Sequence, residues 1–189
     1  MAEQITTPGQ TIGPFYGYAL PYDRGHELVS PADSRAIRLH GTVFDGAGAP
    51  VPDALLEIRQ AGIDGATTAE PGSLRRHGHF TGWGRTAVDA DGGYSFTTLE
   101  PGPCAVEALP FFSLVIFARG LLDRLFTRVY LPEHRSLLER DPAFADLPPH
   151  RLATLLGERT DTGDLRFDIH LQGEHETVFL RFPRHEANR

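Results

Sequence analysis

The chain is predicted to be mainly β: a β-sandwich with short helices and an extended N-terminal arm. Three observations predict it. Apolar and polar residues alternate with a period of two over several short runs, as from Ile37 to Phe44. Those runs are joined by segments dense in glycine and proline, such as DGAGAPVPD and EPGP. Helical character is weak: residues 133–157 look helical only in pieces, interrupted by Pro142, Pro148 and Pro149. Many short strands joined by such turns point to packed sheets rather than to helices layered on a parallel sheet.

Taken in order, residues 1–35 carry turn signals and scattered apolar residues with neither period. They read as an arm with a short helical turn around residues 31–36, followed by one sandwich domain over residues 36–189. Within the arm, TPGQTIGPFYGYAL at 7–20 is too rich in glycine, proline and aromatics for a loose polar tail. From Ile37 the strand pattern begins: Ile37, Leu39, Gly41 and Val43 alternate with Arg38, His40, Thr42 and Phe44, and residues 54–60 return after the turn. Residues 62–86 are glycine-rich and polar, with HGH at 77–79, and read as a long loop of the kind that is often functional. DADGG turns the chain into the strand YSFTTL, which EPGP closes. SLVIFA at 113–118 is almost wholly apolar and is expected to be buried on both faces, while TRVYL at 127–131 alternates. PHRLATLLG resembles a helix started by proline and stopped by Gly157, and LRFDIHL and TVFLRF read as two final strands about the QGEHE turn.

Composition narrows the function classes. A chain of 189 residues suits one domain, and no apolar run approaches the length of a membrane span. A formal charge of −7, without a basic stripe, argues against general nucleic-acid binding, which must neutralise phosphates. Cys104 is the only cysteine, so no internal disulfide can form, and with no secretory layout at the N-terminus a cytoplasmic location is expected. All 18 basic residues are arginine, which excludes lysine Schiff-base chemistry but suits two-point recognition of carboxylates.

Nine histidines invite a metal search. His77 and His79 could ligate from one loop but lack an acidic or cysteine neighbour at ligand spacing, and solvated loop histidines are commoner. The same reading is preferred for His170 with His175 and for the Tyr130 and His134 pair. Cys104 has Glu107 nearby, which raises a thiol's pKa where a nucleophile needs it lowered. No nucleophile elbow, phosphate-cradling loop or dinucleotide fingerprint is present. Arg119 differs from these because it ends an otherwise apolar strand, so its guanidinium emerges at the rim of the core and needs an anionic partner. That partner is either a carboxylate of this chain or a ligand.

Several stretches together resemble the intradiol ring-cleaving dioxygenases. HGTVFDGAGAPVPDALLEIRQA at 40–61 and GRTAVDADGGYSFTTLEPG at 84–102 are similar to that family's strand–turn–strand core, and the likeness runs from about residue 8 to the C-terminus. It extends to the N-terminal TPGQTIGPFY, to SLVIFARGLL and FTRVYL, and to the ending LRFDIHLQGEHETVFLRF. The resemblance implies a non-haem Fe(III), bound by two tyrosines and two histidines, acting with O₂ on an aromatic diol and opening the ring between its hydroxyl-bearing carbons. In this chain the tyrosine positions align with Thr67 and Cys104, and the histidine positions with Phe111 and Ser113.

With all four ligands missing, the resemblance implies that this chain is the subunit without metal. Its Fe(III) is expected on a homologous β subunit, with the active site at their interface. Thr11, Gly13, Pro14 and Phe15 of the arm would line the substrate cavity, and Arg119 matches the position that faces the substrate's carboxylate. Glycine there allows close backbone approach, and proline holds the arm extended before binding. Two other readings stay open on the sequence: a non-catalytic binding module for an aromatic acid or a protein, and an autonomous metalloenzyme using His77, His79 and His170 with Tyr130.

Overall fold

The computed structural model describes residues 9–13, 15–67 and 79–182, and in them the alternating runs become two facing sheets. The arm contributes one helical turn, α1 (Tyr16–Ala19). In the first sheet, β1 (Ile37–Phe44) runs antiparallel to β4 (Gly93–Thr98), with Leu39 opposite Phe96. It runs parallel to two short strands, β8 (Leu165–Arg166) and β9 (Ile169–His170), and β7 (Glu158–Arg159) pairs with β8 at the edge. The second sheet has the order β3 (Trp83–Ala87), β2 (Leu55–Arg59), β5 (Phe111–Phe117), β6 (Leu125–Tyr130), all antiparallel.

Side chains alternate across a pleated strand, so the inward set of each sheet meets that of the other. Leu39, Val43, Phe96 and Ile169 pack against Leu56, Ile58, Phe112, Leu114, Ile116 and Val129 in one core, where each fully buried side chain contributes roughly 1.5–3 kcal/mol. At the end of β2 the buried Gln60 amide ties the sheets together. Its Nε2 donates to the Leu99 carbonyl at 2.8 Å, and its Oε1 accepts from Thr98 Oγ1 at 2.5 Å. With both amide atoms bonded, burial costs little. Tyr130, Leu138, Phe144, Leu152, Leu155 and Val178 form a second cluster, joined by Phe111. It is supplied by helical pieces, as expected: 3₁₀ turns at Pro132–His134 and Pro142–Phe144, α2 (Arg135–Leu138) and α3 (Pro149–Ala153).

The mainly β sandwich stands as expected, while several elements differ. Residues 31–36 form turns, not a helical turn, because Ser30 Oγ and Asp33 Oδ1 accept from the backbone N–H of Ala32 and Arg35 and so compete with helical bonds. The loop expected to run to Thr86 ends earlier, at β3, whose alternation is masked in sequence by Gly82 and Gly84. β5 is buried on one face only. Phe112, Leu114 and Ile116 enter the core, whereas Phe111, Ser113, Val115 and Phe117 are half-buried on the outer face. Apolar residues on both faces of this strand reflect two kinds of cover, the opposite sheet inside and the arm and second cluster outside. LRFDIHL splits into β8 and β9 because Asp168 Oδ1 takes the Thr42 N–H at 3.0 Å, a donor that a continuous ladder would use. TVFLRF forms no strand: its contacts are single bonds to His170, Phe126 and the hydroxyls of Thr127 and Thr154.

Candidate functional site

Two corners of the second sheet carry the residues singled out in the sequence. The first is where the arm meets the end of β5. Thr11 Oγ1 accepts the backbone N–H of Gly120 at 2.7 Å, which fastens the arm to the turn holding Arg119. Tyr16, in α1, is buried and donates its hydroxyl to the Phe117 carbonyl at 3.5 Å. Its phenol is pushed up to about 12, first by burial and then by the negative charge of Asp53, with Arg119 opposing. Arg119 Nε donates to Asp53 Oδ2 in the turn before β2. The anionic partner demanded by the rim position is therefore a carboxylate of this chain, at least for one edge of the guanidinium. Nη1 and Nη2 make no hydrogen bond among the described residues.

A second arginine holds the arm further along. Arg85 grips Glu57 Oε1 with Nε at 2.9 Å and Nη2 at 2.5 Å, and its Nη1 reaches the Leu20 carbonyl at 3.1 Å. Gly25 crosses here so closely that a Cβ would stand 2.6 Å from the Arg85 carbonyl oxygen, which explains the glycine. Leu28 and Val29 then enter the body of the protein as buried residues. Of the expected cavity residues, the structure brings Thr11 to Arg119. Gly13 is exposed and Phe15 is 76% exposed, while Pro14 lies outside the described residues. Sequence reasoning missed Asp53, which reads as an ordinary turn residue in VPDA.

The second corner holds the residues that the sequence resemblance aligns with the family's iron-ligand positions. The Thr67 loop lies against the Cys104 loop: Gly65, at φ +78°, would set a Cβ 2.0 Å from the Pro103 carbonyl oxygen. Cys104 and Thr67 are exposed. Phe111 is covered by the Arg128 guanidinium 4.0 Å from its ring centre and packs on Tyr130 at 5.8 Å. Ser113 is paired in register with Arg59 on one side and Arg128 on the other. These residues do not fit a ferric ion. A phenyl ring has no lone pair, the neutral hydroxyls of Thr67 and Ser113 are weak donors beside phenolate or imidazole, the exposed Cys104 thiol is left as a lone strong ligand, and the Arg128 guanidinium over Phe111 opposes a trivalent cation.

The remaining candidates are scattered. His77 lies outside the described residues and His79 is exposed. His170 stacks on Phe44 at 5.0 Å and meets the His175 ring at 6.0 Å, beside a shallow cleft of about 340 Å³ lined also by Glu158, Arg166 and Asp168. Among the described residues no three His, Cys, Asp or Glu side chains gather as a metal site. The Tyr130 hydroxyl accepts from Arg128 Nη1 at 3.2 Å, not from His134, and burial pushes its pKa up.

Comparison with known proteins gives the family. A family model described as dioxygenase matches residues 12–111. The chain belongs to the intradiol dioxygenase family. Within it, the chain is 35% identical over 190 residues to the protocatechuate 3,4-dioxygenase alpha chain of Burkholderia cepacia, covering 92% of this chain and 96% of the relative. It is 31% identical over 158 residues to the protocatechuate 3,4-dioxygenase beta chain of the same organism, covering 75% of this chain and 66% of that one. Among solved structures, the dioxygenase domain of a dioxygenase carbohydrate-binding fusion from Streptomyces sp. SirexAA-E shares the fold, with a TM-score of 0.60 at 23% identity over 89% of this chain and 99% of that chain.

Proposed function

We propose that the chain works as the alpha subunit of a protocatechuate 3,4-dioxygenase, converting 3,4-dihydroxybenzoate and O₂ into 3-carboxy-cis,cis-muconate together with a homologous β subunit. The observation that carries this reading is a division within one molecule. The likeness to an alpha chain runs nearly end to end, the four iron-ligand positions hold Thr67, Cys104, Phe111 and Ser113, and yet the corner around Arg119 keeps an ordered, charged constellation. The partner's Fe(III) supplies the oxygen chemistry when bound. This chain's part is to bind, orient and exclude water. The arm, with Thr11, Gly13, Pro14 and Phe15, forms a wall, and the 76% exposure of Phe15 leaves its ring uncovered for a partner surface. Arg119 offers its unused Nη1 and Nη2 to the substrate's carboxylate, a charge-assisted two-point contact.

Expression with and without the β chain tests the proposal. The co-expressed pair is expected to purify as a coloured complex, because tyrosinate-to-iron charge transfer absorbs visible light, and to consume O₂ with protocatechuate. The chain alone is expected to be colourless and inactive. A lone chain that holds stoichiometric iron and opens the ring would defeat the reading.

A further inference from the structure

The contact between Asp53 and Arg119 carries an inference that rests on the clamp reading of Arg119 and goes beyond it. A guanidinium can present its donors along more than one edge. In this structure Asp53 holds the Nε proton from Oδ2, and the terminal Nη1 and Nη2 have no acceptor among the described residues. The Arg119 side chain is 56% exposed. Left to itself, so long and exposed a side chain spreads over many rotamers, and a ligand that fixes it must meet the entropy cost of ordering it. Asp53 stands on firm ground. The next residue, Ala54, is fully buried, and its carbonyl accepts the Val88 N–H at 3.0 Å, which anchors the turn to the sheet. On the other side the Arg119 turn is fastened through Gly120 to Thr11, and the buried Tyr16 hydroxyl donates to the Phe117 carbonyl two residues before Arg119.

We propose that Asp53 is a positioning residue: by holding Nε it presents the Nη1/Nη2 edge of Arg119 to the substrate's carboxylate, and so sets the preference for carboxylated over plain catechols. The opposite role is also chemically definite. A carboxylate beside a carboxylate-binding arginine could instead compete with the substrate and weaken its binding by repulsion. The two roles predict opposite signs. Asp53→Asn keeps an oxygen that can accept the Nε proton but removes the charge, whereas Asp53→Ala removes both.

The test uses the co-expressed complex with protocatechuate and with catechol as alternative substrates. Arg119→Ala is expected to raise KM for protocatechuate far more than for catechol. Asp53→Ala is expected to raise KM for protocatechuate about three- to tenfold, the worth of one ordering hydrogen bond, with kcat moving less than KM and catechol moving less than protocatechuate. Asp53→Asn is expected to recover most of that loss. If both Asp53 variants instead lower KM for protocatechuate, Asp53 is a competitor and the proposal falls. If Asp53→Ala leaves KM unchanged while Arg119→Ala raises it, the clamp stands and the positioning role falls. If Arg119→Ala itself spares protocatechuate, the clamp reading fails, and the role of Asp53 with it. Should Asp53→Ala not assemble with the β chain, Asp53→Ser takes its place, being small and too short to reach Nε.

Discussion

The corner around Arg119 and the corner around Ser113 lie on the same sheet, are built from the same strand β5, and have gone opposite ways. At Arg119 polar groups are tied to one another across long stretches of chain, Thr11 to Gly120 and Asp53 to Arg119, and one edge of a charged group is still left over. Around Ser113 the same face carries Phe111, stacked under Arg128 and against Tyr130, with a second arginine, Arg59, in register. In the first corner Nη1 and Nη2 of Arg119 have no acceptor among the described residues. The second is built on ring faces: Arg128 lies over Phe111 and donates to the Tyr130 hydroxyl, while the exposed Arg59 side chain makes no hydrogen bond among the described residues. On the proposed reading, one fold keeps a binding edge without keeping a metal centre, because the two depend on different side chains over a common backbone.

Substitutions can break or sharpen this contrast. The largest effect is expected from Arg119→Ala in the complex: loss of a charge-assisted contact worth roughly 1.5–3 kcal/mol should weaken carboxylated substrate about 10- to 150-fold and leave catechol much less affected. Equal losses for both substrates would remove the clamp from this corner. Phe111→Ala should act on stability instead. A half-buried ring with two aromatic and cationic contacts should cost about 1–3 kcal/mol in urea unfolding, with KM of the surviving complex little changed. A large KM change there would mean that the second corner also faces substrate.

The arm can be probed by pH. The Tyr16 phenol is held above its ordinary value of 10.0, at about 12, by burial. The folded state thus binds this proton more tightly than the unfolded chain, so the stabilisation is complete below about pH 10 and is lost as pH rises through about 12. Ultraviolet titration of Tyr16→Phe against the parent should show one late-ionising phenol missing; an early one missing would place Tyr16 in solvent. Thr11→Val, which removes the acceptor for Gly120 N–H, should release the arm by about 0.5–1.5 kcal/mol, read as faster amide exchange at Gly120. The smallest effect is expected at the exposed Cys104: Cys104→Ser should stay within about 0.5 kcal/mol of the parent in stability.

Legibility in the sequence followed how local the physics was. β1 and β4 could be read directly because each has one face against the opposite sheet, which writes a period of two into the residues. Arg119 was legible for a related reason, as a charge terminating an apolar strand. Asp53 was not. Its partner is 66 residues away, and nothing in VPDA separates a turn aspartate from one that pairs with a guanidinium. β3 was hidden by its glycines, and the ending TVFLRF looked like a strand although its backbone groups are taken up one by one by threonine hydroxyls and isolated carbonyls.

By itself the sequence determined the sandwich and the family, because periodicity, turn chemistry and residue identity are properties of neighbours along the chain. Only the tertiary structure decided which polar groups meet. It brought Thr11, Tyr16, Asp53 and Arg119 from three distant segments into one corner, and it left two guanidinium nitrogens of Arg119 without a partner among the described residues. Hydrogen bonds act over about 3 Å, and which atoms come within that range is fixed by the packing of the sheets and not by spacing in the sequence.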